Sequence, residues 1–184
     1  IRDSMKDEAQ PLNSDRPGQT YNASTVGKGV LVTQLGLDIG GHRLYKWDLE
    51  STSLKGLVEL RYGLLPNLEI GGMYYGFSNK IDNDSIPDAD RKEQAFGGNI
   101  RYNLKQTDRS TFGLIFDYAN YNDDLGSSGA GTLKFLYGVN LSNTFSLTGN
   151  LGYSYGGEDP SGNLLYTLNL GAGFFEDFGV YIES

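Results

Sequence analysis

The sequence predicts an all-β protein, an up-and-down antiparallel barrel with a polar interior. Three observations carry the prediction. From Gly27 onward, apolar and polar residues alternate with a period of two, which is a strand period and not a helix period. The 184 residues include 26 Gly and 13 Tyr but only five Pro, a composition suited to an all-β barrel or sandwich. Longer polar connections alternate with tight turns, as in a meander with loops at one end and turns at the other.

Residues 1–26 are polar and irregular, and Pro11, Pro17 and Gly18 break any regular element. The first strand is expected from Gly27, with Leu31, Thr33, Leu35, Leu37 and Ile39 on one face. Gly40-Gly41 ends it, and a polar loop runs to about Thr52. The clearest hairpin follows, from Ser53 to Phe77. Its first strand sets Leu54, Val58, Leu60, Tyr62 and Leu64 against Lys55, Glu59 and Arg61. Leu65-Pro66-Asn67 is the turn, and Leu68, Ile70 and Tyr74 then alternate with Glu69, Met73 and Tyr75. A second polar loop is expected from Ser78 to about Glu93.

The fourth strand opposes Phe96, Ile100, Tyr102 and Leu104 to Ala95, Asn99, Arg101 and Asn103. A short turn near Gln106–Asp108 leads to the fifth, where Phe112, Leu114, Phe116 and Tyr118 oppose Gly113, Ile115 and Asp117. The loop Asn120–Ala130 is rich in Gly, Ser and Asp. The sixth strand carries Leu133, Phe135, Tyr137, Val139 and Leu141 against Thr132, Lys134 and Asn140, and Ser142-Asn143 closes it. The seventh alternates Phe145, Leu147, Leu151, Tyr153 and Tyr155 with Ser146, Thr148, Asn150 and Ser154. Asp159-Pro160-Ser161-Gly162 is a turn signal before the eighth, with Leu164, Tyr166, Leu168, Leu170 and Phe174 on one face. A ninth begins at Phe178.

The second face decides the medium. Asp38, Lys55, Glu59, Arg61, Glu69, Arg101, Asp117, Lys134 and Glu183 cannot fill a dry core without a large desolvation cost. They suit a wet lumen, with the apolar face toward lipid and a closed barrel pairing the backbone groups that lipid cannot satisfy. A soluble β-sandwich would show the same alternation, with its charged side in water. The aromatic load and the asymmetry of the connections favour a transmembrane β-barrel in a bacterial outer membrane.

Composition excludes several classes. There is no Cys, hence no disulfide frame and no thiolate chemistry. A net charge of -8 argues against nucleic acid as a partner. No apolar run approaches the roughly 20 residues of a membrane helix. No cofactor or metal is expected. The chain opens on a polar stretch at Ile1, as expected of a processed mature protein, and stops at Ser184 inside a strand. About nine strands is an odd count for a single-chain bacterial barrel, so roughly three more strands and a barrel of about 12 are expected. The domain expectation is a polar periplasmic segment over residues 1–26 and a barrel over residues 27–184, truncated at its C-terminus.

Short motifs carry a family resemblance. Asn13-Ser-Asp-Arg-Pro-Gly-Gln-Thr20 followed by Val26-Gly-Lys-Gly29 resembles the opening of the MetA-pathway phenol-degradation transporters, which reads T-D-R-P-D-x-T and then V-x-K-G. Ser14 and Gly18 depart from the usual Thr and Asp. Leu60-Arg-Tyr-Gly-Leu64 with Leu68-Glu69 resembles a second recurring motif, and Gly157-Glu-Asp-Pro-Ser-Gly162 is also similar. The resemblance implies an outer-membrane barrel that transports a small, apolar or aromatic compound.

The candidate site is the charged inner face. Lys55, Glu59, Arg61, Glu69, Arg101, Asp117 and Lys134 are the expected lumen or constriction residues, with Glu59, Arg61 and Glu69 close together near the tight turn. The functional reading is a constriction that selects solute, and the plainer reading is a salt-bridge network bracing the wall. Asp15, Arg16 and Pro17 are read as a plug in which Arg16 pairs with Glu59 or Glu69, or else as a frayed terminus. The acidic loop Asp82–Asp90 lacks the spacing and Gly of a calcium loop. Gly126–Thr132 has Thr132 where a phosphate loop needs Lys. His42, the sole His, stands near Asp38 and Ser51, but no motif supports a lipid-modifying triad, and no catalytic residue is expected. The leading function is passage of a small solute. The alternative is a non-conducting barrel docked to other envelope proteins. Outer-membrane lipids are partners in either case.

Overall fold

The period-two pattern folds into nine strands: β1 (Leu31–Leu44), β2 (Leu49–Leu65), β3 (Leu68–Asn83), β4 (Ala89–Gln106), β5 (Ser110–Asp123), β6 (Gly126–Asn140), β7 (Phe145–Gly156), β8 (Asn163–Phe175) and β9 (Phe178–Glu183). The structure, a computed structural model, describes residues 20–44, 49–83, 89–123, 126–156, 161–175 and 178–184. Each strand pairs antiparallel with the next, in the order β1 to β9, in one sheet curled into a half-barrel. No ladder joins β1 to β9 among the described residues.

The strands outrun the sequence expectation at one end. Gly40–Leu44 pairs with Leu49–Ser53, Ser78–Ile81 with Ala89–Lys92, and Asn120–Asp123 with Gly126–Gly129, although all three stretches read as loops. Connections at this end are four, five, two and six residues, against two, three, four and two at the other, so loop length does not distinguish the ends. The asymmetry lies in strand that continues past the apolar region. Ladder bonds are made by the backbone, so a strand with water on both faces needs no alternation to persist. At the opposite end β1 starts later than expected. Gly27 and Gly29 hold φ of 88° and 77°, a conformation that turns the chain before Leu31.

The sheet is inside out relative to a water-soluble core. Leu35, Leu37, Ile39, Leu164, Tyr166 and Ile182 are each more than two-thirds exposed on the convex face. Arg61, Glu69 and Arg101 are at most 1% exposed on the concave face. On β1 the apolar residues run from Leu31 to Ile39, a rise of about 27 Å along the strand. A tilted strand of about 9–11 residues is what a bilayer's apolar layer requires.

Tyrosines finish the convex face. A Cβ added at Gly129, Gly131, Gly149 or Gly162 would run into the ring of Tyr118, Tyr155, Tyr137 or Tyr153 respectively. Each ring covers the bare backbone of a glycine on a neighbouring strand or turn. Three register shifts, at Gly63/Leu65, Asn103/Lys105 and Gly173/Phe175, all lie at the end where β2 joins β3, β4 joins β5 and β8 joins β9, where bulges sharpen the twist into the turns.

Candidate functional site on the inner wall

Residues Thr20–Val26 form no strand, yet they lie across the concave face and are gripped along their length. At one end Glu69 accepts the Val26 N–H at 2.8 Å through Oε2. Thr25 donates its hydroxyl to the Pro66 carbonyl at 2.8 Å. Asn103 donates to the Ala23 carbonyl at 3.0 Å, and Arg101 Nη1 to the Asn22 and Ser24 carbonyls at 3.2 and 3.3 Å. Asn150 accepts the Tyr21 N–H at 2.8 Å and donates back to its carbonyl at 2.9 Å. At the far end Glu183 on β9 accepts the Thr20 N–H at 2.5 Å, and the Thr20 and Thr167 hydroxyls are 3.0 Å apart. The wall therefore reads the segment mainly by its backbone, supplying through side chains the bonds a neighbouring strand would supply.

Two side chains of this strap add specificity. Ala23 is 1% exposed and packs with Ile115 and Leu136, inward-facing residues of β5 and β6. Tyr21 lies between cations, with Lys134 Nζ 4.3 Å and Arg101 Cζ 5.7 Å from its ring centroid. Glycines make the room. A Cβ at Gly63 would collide with the Gly27 carbonyl, and one at Gly113 would meet the Ala23 carbonyl at 3.1 Å. Gly63 also exchanges backbone bonds with the arriving chain, from Gly29 N–H at 2.8 Å and to the Val30 carbonyl at 3.0 Å.

Geometry makes the strap a chord. Seven residues span at most about 25 Å when extended. The path along the wall from β3 to β9 crosses six strand gaps of about 4.8 Å each, roughly 29 Å. A segment bonded to Glu69 on β3 and Glu183 on β9 thus takes a shorter path than the wall between them, in keeping with the curl of the sheet.

The expected site residues fall into separate groups. Arg61 and Glu69 form a two-point ion pair, Nε–Oε1 at 2.7 Å and Nη2–Oε2 at 3.0 Å, and Arg101 Nε stands 3.8 Å from the same carboxylate. Glu59 lies farther up β2 and accepts from Asn99 at 3.4 Å. Lys134 and Asp117 pair at 2.9 Å on β6 and β5. Lys55 stands over the Phe77 ring at 5.6 Å, and in register it opposes Asp38. Asp15, Arg16 and Pro17 lie outside the described residues. The groups that meet Glu69 are Arg61, Arg101 and the Val26 amide.

Sequence reasoning missed Tyr21, Ala23, Asn103 and Asn150. A signal existed: Asn is depleted in strands, yet Asn99, Asn103 and Asn150 stand at inward positions of β4 and β7. A cavity of about 260 Å³ opens beside the strap, lined by Tyr21, Lys134, Asn150, Gly152, Leu165 and Thr167 among others.

The remaining motifs settle into the sheet. His42 and Ser51 are register partners across β1 and β2, but the His42 side chain lies outside the described residues, and the Ser51 hydroxyl donates to Asn79 at 2.8 Å. Within Asp82–Asp90, residues 84–88 lie outside the described residues. Gly126–Thr132 is strand β6. No group of three His, Cys, Asp or Glu that could hold a metal occurs among the described residues. Comparison with family models, curated proteins and solved structures yields no match.

Proposed function

We propose that this chain forms the wall of a Gram-negative outer-membrane β-barrel that passes a small solute through a charged lumen narrowed by residues 20–26. One observation carries the reading: the face that a soluble sheet would bury is exposed and aliphatic, and the face it would expose is charged and buried. That polarity suits lipid outside and water inside. In lipid the free edges of β1 and β9 need partners, and about three further strands would close a barrel of about 12. Lys55, Glu59, Arg61, Glu69, Arg101, Asp117 and Lys134 line the passage, and the motif resemblance to phenol-degradation transporters favours an apolar or aromatic solute. On this reading Thr20–Val26 lie toward the periplasmic side, at the end where β2 joins β3 and β4 joins β5.

A second reading has its own support. The strap and the ions beneath it fill part of the inner wall, as in a non-conducting barrel that serves an envelope assembly. Reconstitution of the whole protein in planar phosphatidylcholine bilayers separates the two. Stepwise conductance supports the channel. Stable insertion without conductance supports the structural barrel. Monodisperse behaviour in water without detergent overturns the membrane assignment.

A further inference from the structure

The two ends of the strap are held very differently. At the β2–β5 end its partners are closed off from water: Glu69 and Arg101 are 0% exposed, Arg61 is 1%, and Ala23, Thr25 and Val26 are all buried. The Gly29–Gly63 bonds tie this end to β2 as well. At the β6–β9 end Thr20 and Tyr21 are only half-buried and meet Thr167, Glu183, Lys134 and the buried Asn150, while the half-buried Asn22 gives its carbonyl to Arg101 on β4. Beside that end lies the 260 Å³ cavity, with the Tyr21 ring as one wall.

We infer that residues 20–26 are a one-ended latch: Ala23–Val26 stay fixed to β2–β5, while Thr20–Asn22 lift from β6–β9 and join the cavity beside Tyr21 to the lumen. The inference rests on the channel reading for its consequence, but not for the motion. Lifting this end costs hydrogen bonds that water in a lumen can replace. Lifting the other would take the Val26 amide from the buried Glu69 and the Ser24 carbonyl from the buried Arg101. If Asn22 and Tyr21 leave, Arg101 loses the Asn22 carbonyl and the Tyr21 ring but keeps the Ser24 carbonyl and its place beside Glu69. Tyr21 is the catch, because its backbone pairs with Asn150 and its ring with Lys134. The latch gives the passage a wide and a narrow state without unfolding the wall.

Two measurements test it. The chain has no Cys, so Thr20→Cys with Thr167→Cys introduces the only thiols, at positions whose hydroxyls are 3.0 Å apart. In planar bilayers, oxidation of this variant is expected to lower single-channel conductance at least twofold, and reduction to restore it. The reduced form is its own folding control. Equal conductance in both forms overturns the latch. The second measurement needs no conductance: amide hydrogen exchange of the unmodified protein in lipid. After correction for intrinsic rates, the Tyr21 amide is expected to exchange at least tenfold faster than the Val26 amide. Equal protection overturns the latch whatever the fate of the channel reading, and absence of conductance with unequal protection overturns the channel alone.

Discussion

Asn150 treats Tyr21 as a strand treats its neighbour, accepting the N–H at 2.8 Å and donating to the carbonyl at 2.9 Å. One side chain on β7 thus replaces two ladder bonds for a segment that has no ladder. Asn150→Ala removes both and is expected to cost about 0.5–1.5 kcal/mol, the net worth of bonds whose Tyr21 partners water can then reach. Asn150→Leu, matched more closely in volume, should cost no less, because the loss is polar. Urea unfolding in detergent micelles, followed by intrinsic fluorescence, checks both.

Glu69 is the carboxylate between two buried guanidinium groups. Glu69→Ala leaves Arg61 and Arg101 without their anion and is expected to destabilise by about 3–5 kcal/mol. Replacing Arg61 and Glu69 together by Leu should cost less than Glu69→Ala alone, since the desolvated pair is then removed as a unit. A double-mutant cycle on unfolding free energies reads the difference.

Gly63 faces the Gly27 carbonyl with no space for a methyl group, whereas Gly41 has nothing within 4 Å of an added Cβ. Gly63→Ala is expected to cost about 1–3 kcal/mol by overpacking, and to loosen residues 20–26 toward added protease. Gly41→Ala is expected to be neutral or stabilising. Limited proteolysis and unfolding midpoints of the two variants give the comparison.

Leu35 is 77% exposed at the middle of the aliphatic stretch of β1. In phospholipid vesicles Leu35→Arg is expected to cost about 2–4 kcal/mol, the penalty for a cation near the bilayer midplane. Thr52→Arg, on the same face but beyond that stretch, is expected to change stability by no more than about 0.5 kcal/mol. Equal, small effects at both positions would mean that water, not lipid, covers Leu35.

The inward and outward faces of β2 to β8 were legible because the two faces of each strand carry opposite chemistry. Leu60 and Arg61 are adjacent in sequence, 47% and 1% exposed, and opposite in chemistry. Ser78–Asn83 was not legible as strand, because its sequence carries no apolar–polar alternation for its ladder partners to reveal. The strap was illegible for a related reason. Tyr21, Asn22 and Ala23 have no period, since their partners are side chains far along the chain and not a neighbouring strand. Glu69 was recognised as inward, but its joint hold on Arg61 and the Val26 amide follows only from the path of the strap.

The tyrosines lying over glycines tie the alignment of neighbouring strands to a shape match as well as to the ladder. Tyr137 stands opposite Gly149, and Tyr155 opposite Gly131. A slip of one residue would turn either ring toward the concave face. A slip of two would press Tyr137 onto Leu147 or Leu151 instead of bare backbone. Between β6 and β7 the observed alignment is the one that sets both rings against glycine, so the glycines help to fix which residues of the two strands face each other.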